Sequence, residues 1–451
     1  MDEIGRAYLL LALNLERHLE GFVDAYFGPP ELKTQAQAGE PRPLDALADD
    51  ARQLVAAVEA SGYDPQRRDL LCHQTRAMAA VVRNLSGPQL GFSEEVELYF
   101  DITPEMTDEA VFATAHAELA RLLPGDAIGR ANRLVDRLVA WRKRLELAPD
   151  RIFPVFELAR QETRRRTRAL FDLPGGEELS QRLVKDQPWA AYNWYLGNYQ
   201  SRIEINTDLP VRASSAVPLM AHEACAGHHT EHAIKEVALY QAQDRAEHCI
   251  QLLLAPECVL SEGIADSALD VIWNRADRAA FLRDELYPAA GLPGIDVGLQ
   301  LQIERAAEAL RHVDGNAALL VHRGLETELV AQRLGYRRHQ PLAACDRGQR
   351  AKEHAVLKAP GLHHPLGGLQ CQARLARAAG PQQSEQPAGR ILQPGADLLQ
   401  LLLAPHKGRG LGRQVVAGGR PGARHRPQHT PRRRQSGPDL LVQGGRLGVG
   451  R

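Results

Sequence analysis

Cysteine is scarce and scattered in this chain. Its 451 residues include six cysteines, with no C-x-x-C pair and no dense framework, which argues against a disulfide scaffold and favours a reducing compartment. The start of the chain has no basic region of an export signal, and the apolar run Tyr8–Leu13 is too short to span a membrane. We therefore expect a cytoplasmic protein with no membrane partner.

Aromatic residues are missing from the last quarter of the chain. All 23 Phe, Trp and Tyr residues lie at or before Tyr336, and the 115 residues that follow hold 20 Lys and Arg but only five Asp and Glu, a net charge of +15. The first 336 residues carry −16, so the overall charge of −1 is a cancellation. Glycine and proline make up about a quarter of the basic segment, a composition typical of unstructured sequence.

These differences predict two parts: a helical domain over residues 1–336, and a tail over 337–451 that is irregular or disordered. Two origins of the tail remain open, a native basic tail or translation of a GC-rich gene in a shifted reading frame. We expect no nucleic-acid partner, because no aromatic side chain can stack a base and the basic residues are dispersed, apart from Arg432–Arg434.

Apolar residues recur at helical spacing through most of the first part. Leu134, Leu138, Trp141 and Leu145 follow one another at steps of three and four residues with charged residues between them, which is typical of a helix that buries one face. A similar pattern covers Arg6–Val23. The sequence thus predicts a mainly α fold.

One segment departs from this period. Residues Ser201–Thr207 alternate polar and apolar side chains and include β-branched Ile and Thr, which predicts a short strand. The aromatic cluster Tyr192–Tyr195 comes just before it, and we interpret this cluster as core packing. The strand precedes the most unusual segment of the chain by about a dozen residues.

That segment reads HEACAGHHTEH from His222 to His232, with four histidines and two glutamates in 11 positions. Neutral imidazole is a common zinc ligand, and a glutamate next to a ligand can act as general base on water, so the H-E pair indicates a hydrolytic metal site. We interpret His232 alone as part of a solvated face and Cys225 as a small buried hydrophobe.

The histidine spacing requires a deformed helix. The position one turn after His222 is Ala226, whereas His228 would point about 240° away on a straight helix and His229 would lie on the same face about 10 Å further along. Gly227 tolerates a break that would bring His228 back towards His222.

The sequence H-E-A-C-A-G-H-H resembles the H-E-x-x-P-G-H-H hallmark of the domain-of-unknown-function 885 proteins, a bacterial group placed near zincin-type metallopeptidases. Further segments are similar to that group over roughly residues 1–336, and Ala226 stands where the hallmark usually has proline. The resemblance implies a multi-helix, zincin-like metallopeptidase architecture with a short β-strand before the active-site helix. The other similar segments are residues 26–29, 192–197, 202–207 and 260–266.

A site with two histidines needs a third protein ligand. Glu262 lies 40 residues after His222 on a second predicted helix, as in zincins whose third ligand is a downstream glutamate. We therefore predict His222, His228 and Glu262 as ligands of Zn²⁺, and Asp266, one turn later, as a residue that orients a ligand imidazole. His229 remains the alternative second ligand or a donor to a developing oxyanion.

Two functions are compatible with these residues. The first is a zinc-dependent hydrolase, a metallopeptidase that cleaves peptide or amide bonds with Glu223 as general base. An extended substrate would then pair with an edge strand that carries Arg202, Glu204 and Asn206. The second is a catalytically inactive metal- or peptide-binding protein, because the aromatic-free tail begins where related peptidases carry transition-state donors.

Overall fold

Aspartate side chains cap several of the helices. Asp2, Asp64, Asp108 and Asp296 each accept a hydrogen bond from a backbone N–H in the first turn of the helix that follows, which satisfies a group that has no partner within the helix. The computed structural model describes residues 1–87, 90–125, 134–187 and 189–325. Helix accounts for 64% of these residues and strand for 10%, so the prediction of a mainly α fold is confirmed.

The helices are α1 (Glu3–Glu16), α2 (Pro30–Gln37), α3 (Leu44–Glu59), α4 (Pro65–Ser86), α5 (Phe92–Phe100), α6 (Glu109–Leu122), α7 (Leu134–Lys143), α8 (Pro149–Arg168), α9 (Ala216–Glu223), α10 (His228–Lys235), α11 (Pro256–Ile272), α12 (Arg275–Phe281), α13 (Tyr287–Ala289), α14 (Val297–Glu308) and α15 (Val313–His322). The strands are β1 (Val23–Tyr26), β2 (Glu178–Val184), β3 (Ala191–Gly197), β4 (Gln200–Asn206) and β5 (Ile250–Leu252). Two π-helical segments, Glu236–Gln241 and Leu282–Leu286, continue α10 and α12.

The predicted strand before the histidine segment is β4, but it is not an edge strand. The three-stranded sheet has the order β2-β4-β3, in which β4 is parallel to β2 and antiparallel to β3. Both sides of β4 are therefore paired, and the prediction that a substrate pairs with it is wrong. Polar and apolar alternation shows which face of a strand is buried, but it contains no information on how many neighbours the strand has.

The three residues assigned to that edge have structural contacts instead. Glu204 is buried and forms ion pairs with Arg202 and with Arg182, the residue opposite it on β2. The side-chain amide of Asn206 donates to the carbonyls of Gln187 and Trp189. These contacts stabilise the sheet and the loop before β3.

Two hydrophobic cores meet at α11. The first core is built on α1, α3, α4 and α5, and the second packs α6 to α9 against the three-stranded sheet and α14. Cys258 near the start of α11 belongs to the first core, while Ala268 and Ile272 near its end belong to the second. The middle of α11, which carries Glu262, is thereby held between the two cores.

Four further sequence-based predictions concern a helix end, the aromatic cluster, membrane spans and the tail. The predicted helix over Arg6–Val23 ends at Glu16, and Val23 already belongs to β1. The aromatic cluster Tyr192–Tyr195 lies in β3, and three of its four side chains are buried. None of the helices in the described ranges combines the length and apolarity needed to cross a bilayer. The predicted tail over 337–451 and its boundary lie outside the described residues.

Candidate metal centre

The histidine segment is a broken helix. Helix α9 ends at Glu223 and α10 begins at His228, so four residues without helical structure separate the two. The break brings the rings of His222 and His228 to a centroid distance of 4.8 Å, with their planes perpendicular. A continuous helix would point these two side chains away from each other.

Glycine is required at position 227. A Cβ atom there would lie 1.8 Å from the carbonyl oxygen of His222 and 2.5 Å from that of Ala221, far inside van der Waals contact. The preceding residue, Ala226, has a φ of +78°, which the ring of a proline cannot adopt. The turn in this chain therefore has a conformation that a proline at position 226 would not allow.

Glu262 on α11 faces both imidazoles. Its Oε2 lies 3.4 Å from Nε2 of His222, and its Oε1 lies 3.5 Å from Nε2 of His228. The three residues are buried, and one ligand atom of each lies within 4.8 Å of the others. Ligands bound tetrahedrally to zinc at about 2.1 Å lie roughly 3.4 Å apart, and each imidazole nitrogen already lies at about that distance from one of the two carboxylate oxygens.

The electrostatics of the cluster favour a cation. Burial opposes the charged imidazolium, yet Asp266 and Glu262 outweigh burial and raise the pKa of His222 well above its ordinary value. Burial likewise opposes ionisation of Glu262, but His228 and His222 lower its pKa to about 2. Nε2 of His222 is buried without a hydrogen-bond partner in the described part of the chain. Two imidazoles and an ionised carboxylate are a donor set that suits Zn²⁺, so the residues fit the predicted ion.

Asp266 lies on the far side of the His222 ring. Its Oδ1 is 3.3 Å from Nδ1 of His222, and its Oδ2 accepts a hydrogen bond from Arg311 at 3.3 Å. A carboxylate at this nitrogen keeps the proton on Nδ1 and leaves the Nε2 lone pair for the ion. The structure thus places Asp266 where the sequence predicts an orienting residue.

His229 is turned away from this cluster. Its Nδ1 lies 2.8 Å from the hydroxyl of Ser201, and its Nε2 lies 3.7 Å from Glu177, which also binds Arg164. Burial lowers the pKa of His229 despite the carboxylate, which favours the neutral ring. Two overlapping groups of potential metal ligands occur among the described residues, His222 with His228 and Glu262, and His228 with Glu231 and His232, and His229 belongs to neither.

Glu223 is the last residue of α9 and has no exposed surface. Its backbone carbonyl accepts a hydrogen bond from the side-chain amide of Asn193 on β3, which ties the end of the helix to the sheet. The charge of its carboxylate contributes to the raised pKa values of both His222 and His228. The predicted general base therefore lies beside the two imidazoles without being one of the three clustered ligands.

A cleft that opens to solvent, with an internal volume of about 30 Å³, borders the cluster. His228 and Glu262 reach it from one side, and Tyr192 and Asn193 of β3 contribute to the lining. No sequence pattern indicates this cleft, because its walls come from segments far apart in the chain. The remaining lining residues are Asp24, His232, Gln251, Leu253, Cys258 and Ser261.

The interpretation of His232 as part of a solvated face is wrong. Its half-buried ring lies in the cleft, 5.1 Å from the ring of Tyr195 and 6.1 Å from that of His228. Burial lowers its pKa to about 3. A residue one turn after His228 would face solvent if α10 lay on the surface. Helix α10 instead packs against both β3 and α11. The interpretation of Cys225 is confirmed, since its side chain is fully buried in the second core.

Substitution of the two adjacent histidines tests which of them is the metal ligand. We expect His228→Gln to weaken zinc binding by more than about 100-fold, beyond the effect of losing an outer partner of a ligand. His229→Gln is expected to keep the affinity within about tenfold while lowering thermal stability, because it disturbs the contacts with Ser201 and Glu177. Competition with a chelator and thermal unfolding measure both effects. The reverse order of affinities would show that His229 is the ligand.

Comparison of the chain with family models, with curated proteins and with solved structures found no match. The resemblance to the domain-of-unknown-function 885 proteins thus depends on the short segments named above.

Proposed function

We propose that this protein is a zinc-dependent hydrolase of the zincin-like kind, a metallopeptidase related to the domain-of-unknown-function 885 proteins. The observation that carries the proposal is the buried group of His222, His228 and Glu262, which borders an open cleft. Protein sites with three ligands and access from solvent are typical of catalytic zinc, whereas structural zinc is enclosed by four protein ligands.

Each residue of the site has a separate role in the proposed hydrolysis. His222, His228 and Glu262 would hold the ion, and Asp266 keeps His222 in the tautomer that binds it. A bound zinc ion would polarise the scissile carbonyl and lower the pKa of water towards about 7. Glu223, beside both imidazoles, would accept the proton of the attacking water and pass it to the leaving amine. The substrate would approach the ion through the mouth of the cleft, past Tyr192 and Asn193.

The proposal is tested on the full-length protein by metal analysis and by hydrolysis of a broad peptide library. We expect about one equivalent of zinc, loss of hydrolysis on treatment with a chelator, and recovery when zinc is returned. Zinc binding without hydrolysis of any peptide would favour the inactive binding protein instead. A protein that takes up no divalent ion would exclude the zinc-dependent hydrolase and any metal-binding role, and would leave peptide binding as the function to test.

A further inference from the structure

A chain of hydrogen bonds runs from the half-buried Lys235 to the ring of His228. The ammonium of Lys235 lies 3.1 Å from Glu231 Oε1, the hydroxyl of Ser261 donates to Glu231 Oε2 at 2.5 Å, and the same hydroxyl oxygen lies 3.2 Å from Nδ1 of His228. His228, Glu231 and Lys235 follow one another at steps of three and four residues and so share one face of α10. Ser261 lies on α11, one residue before the candidate ligand Glu262.

The direction of these bonds follows from the donors and acceptors present. An ionised carboxylate only accepts, and a serine hydroxyl has a single hydrogen to donate. Burial would raise the pKa of Glu231, but Lys235 outweighs burial and lowers it to about 2. Ser261 therefore gives its hydrogen to Glu231, and its oxygen can only accept from His228. Nδ1 of His228 must then carry the hydrogen.

We propose that Glu231 and Ser261 are positioning residues that hold His228 in the Nδ1–H tautomer and so present the lone pair of Nε2 to the metal ion. This inference rests on the proposed function, because it concerns a ligand of the same ion. Nε2 is the nitrogen that faces Glu262 at 3.5 Å. Asp266 does the same for His222, so each imidazole is oriented by its own partner through Nδ1.

Lys235 holds the Glu231 carboxylate in position through their ion pair. It contacts a second buried carboxylate, Glu257 on α11, and Glu257 in turn accepts a hydrogen bond from Gln74 on α4 at 3.4 Å. Burying a lysine is costly unless opposite charges and hydrogen bonds surround it. Here two carboxylates from adjacent helices do so, which joins α10 to α11 at the depth of the metal cluster.

The test compares two serine substitutions on the same helix in the full-length protein. Ser261→Ala removes the acceptor of the His228 Nδ1–H bond, and we expect zinc affinity to fall by about 10- to 100-fold. Ser267→Ala removes a hydroxyl that donates to the carbonyl of Gly263 at 2.8 Å, away from the cluster, and is expected to change the affinity less than about twofold. Chelator competition gives the affinities. The visible spectrum of the cobalt-substituted protein reports ligand geometry, and of these two serine variants only Ser261→Ala should change it.

Glu231→Gln provides a second variant with almost unchanged volume. Its amide can donate to Ser261, which frees the serine hydrogen to point at Nδ1 and allows the opposite tautomer of His228, so we expect weaker zinc binding and an altered cobalt spectrum. Thermal stability should fall as well, because Lys235 loses one of its two carboxylate partners. Wild-type affinity and spectrum in both Ser261→Ala and Glu231→Gln would overturn the inference while leaving the metal site intact. If the wild-type protein bound no zinc, the proposed function and this inference would fail together.

Discussion

Glu223→Gln is expected to retain the full metal content of the wild-type protein while hydrolysis falls by about 10²- to 10⁴-fold, the usual contribution of a general base. The amide has nearly the volume of the carboxylate but cannot accept the proton of water. Metal binding should persist, because the clustered ligand atoms come from His222, His228 and Glu262. Metal analysis and peptide hydrolysis on the same preparation measure the two properties.

Two further variants serve as controls for Glu223→Gln. His222→Ala should lose both metal and hydrolysis, since it removes a ligand. Glu95→Gln changes a buried glutamate of α5, in the first core and outside the cluster, and should change neither. Retained hydrolysis in a homogeneous Glu223→Gln preparation would show that another group accepts the proton.

The approach of His222 to His228 is the part of the site that the sequence alone anticipates best. Helical geometry separates the two side chains, and the only residue between them that loosens a helix is Gly227, so a break at that point follows from the spacing. The structure has this break, and it requires the absence of a Cβ at Gly227. Local backbone chemistry was sufficient here, because the residues involved are neighbours in the chain.

Features that depend on distant segments were not predictable in the same way. The central position of β4 depends on β2, whose sequence shows no clear alternation. The placement of His232 in a cleft depends on how α10 packs against β3 and α11. The hydrogen bond from His228 to Ser261 joins residues 33 positions apart, and no spacing rule relates two helices whose packing is unknown. Residue types thus indicated the candidate ligands and Asp266, but not Glu231 and Ser261, which contact the ring of His228 from other positions in the fold.

Gly227→Ala is expected to destroy the metal site and to destabilise the fold. The new Cβ would lie 1.8 Å from the backbone oxygen of His222, and backbone cannot move aside as the end of a flexible side chain can. We expect the free energy of unfolding to fall by more than about 3 kcal/mol, the upper range for overpacked sites. Zinc affinity should be lost in whatever protein remains folded, because relieving the clash separates His222 from His228. Denaturant unfolding and metal analysis measure these effects.

Gly263→Ala is the matched control, because it makes the same change next to Glu262. A Cβ at this position has no atom within 4 Å, and Gly263 lies in the interior of α11, where alanine is preferred over glycine by about 0.5–1 kcal/mol. The control should therefore be slightly more stable than the wild type and bind zinc normally. Opposite signs for the two substitutions would assign the loss to the turn between α9 and α10, whereas a Gly227→Ala protein with normal stability and zinc affinity would mean that the turn differs from the one described.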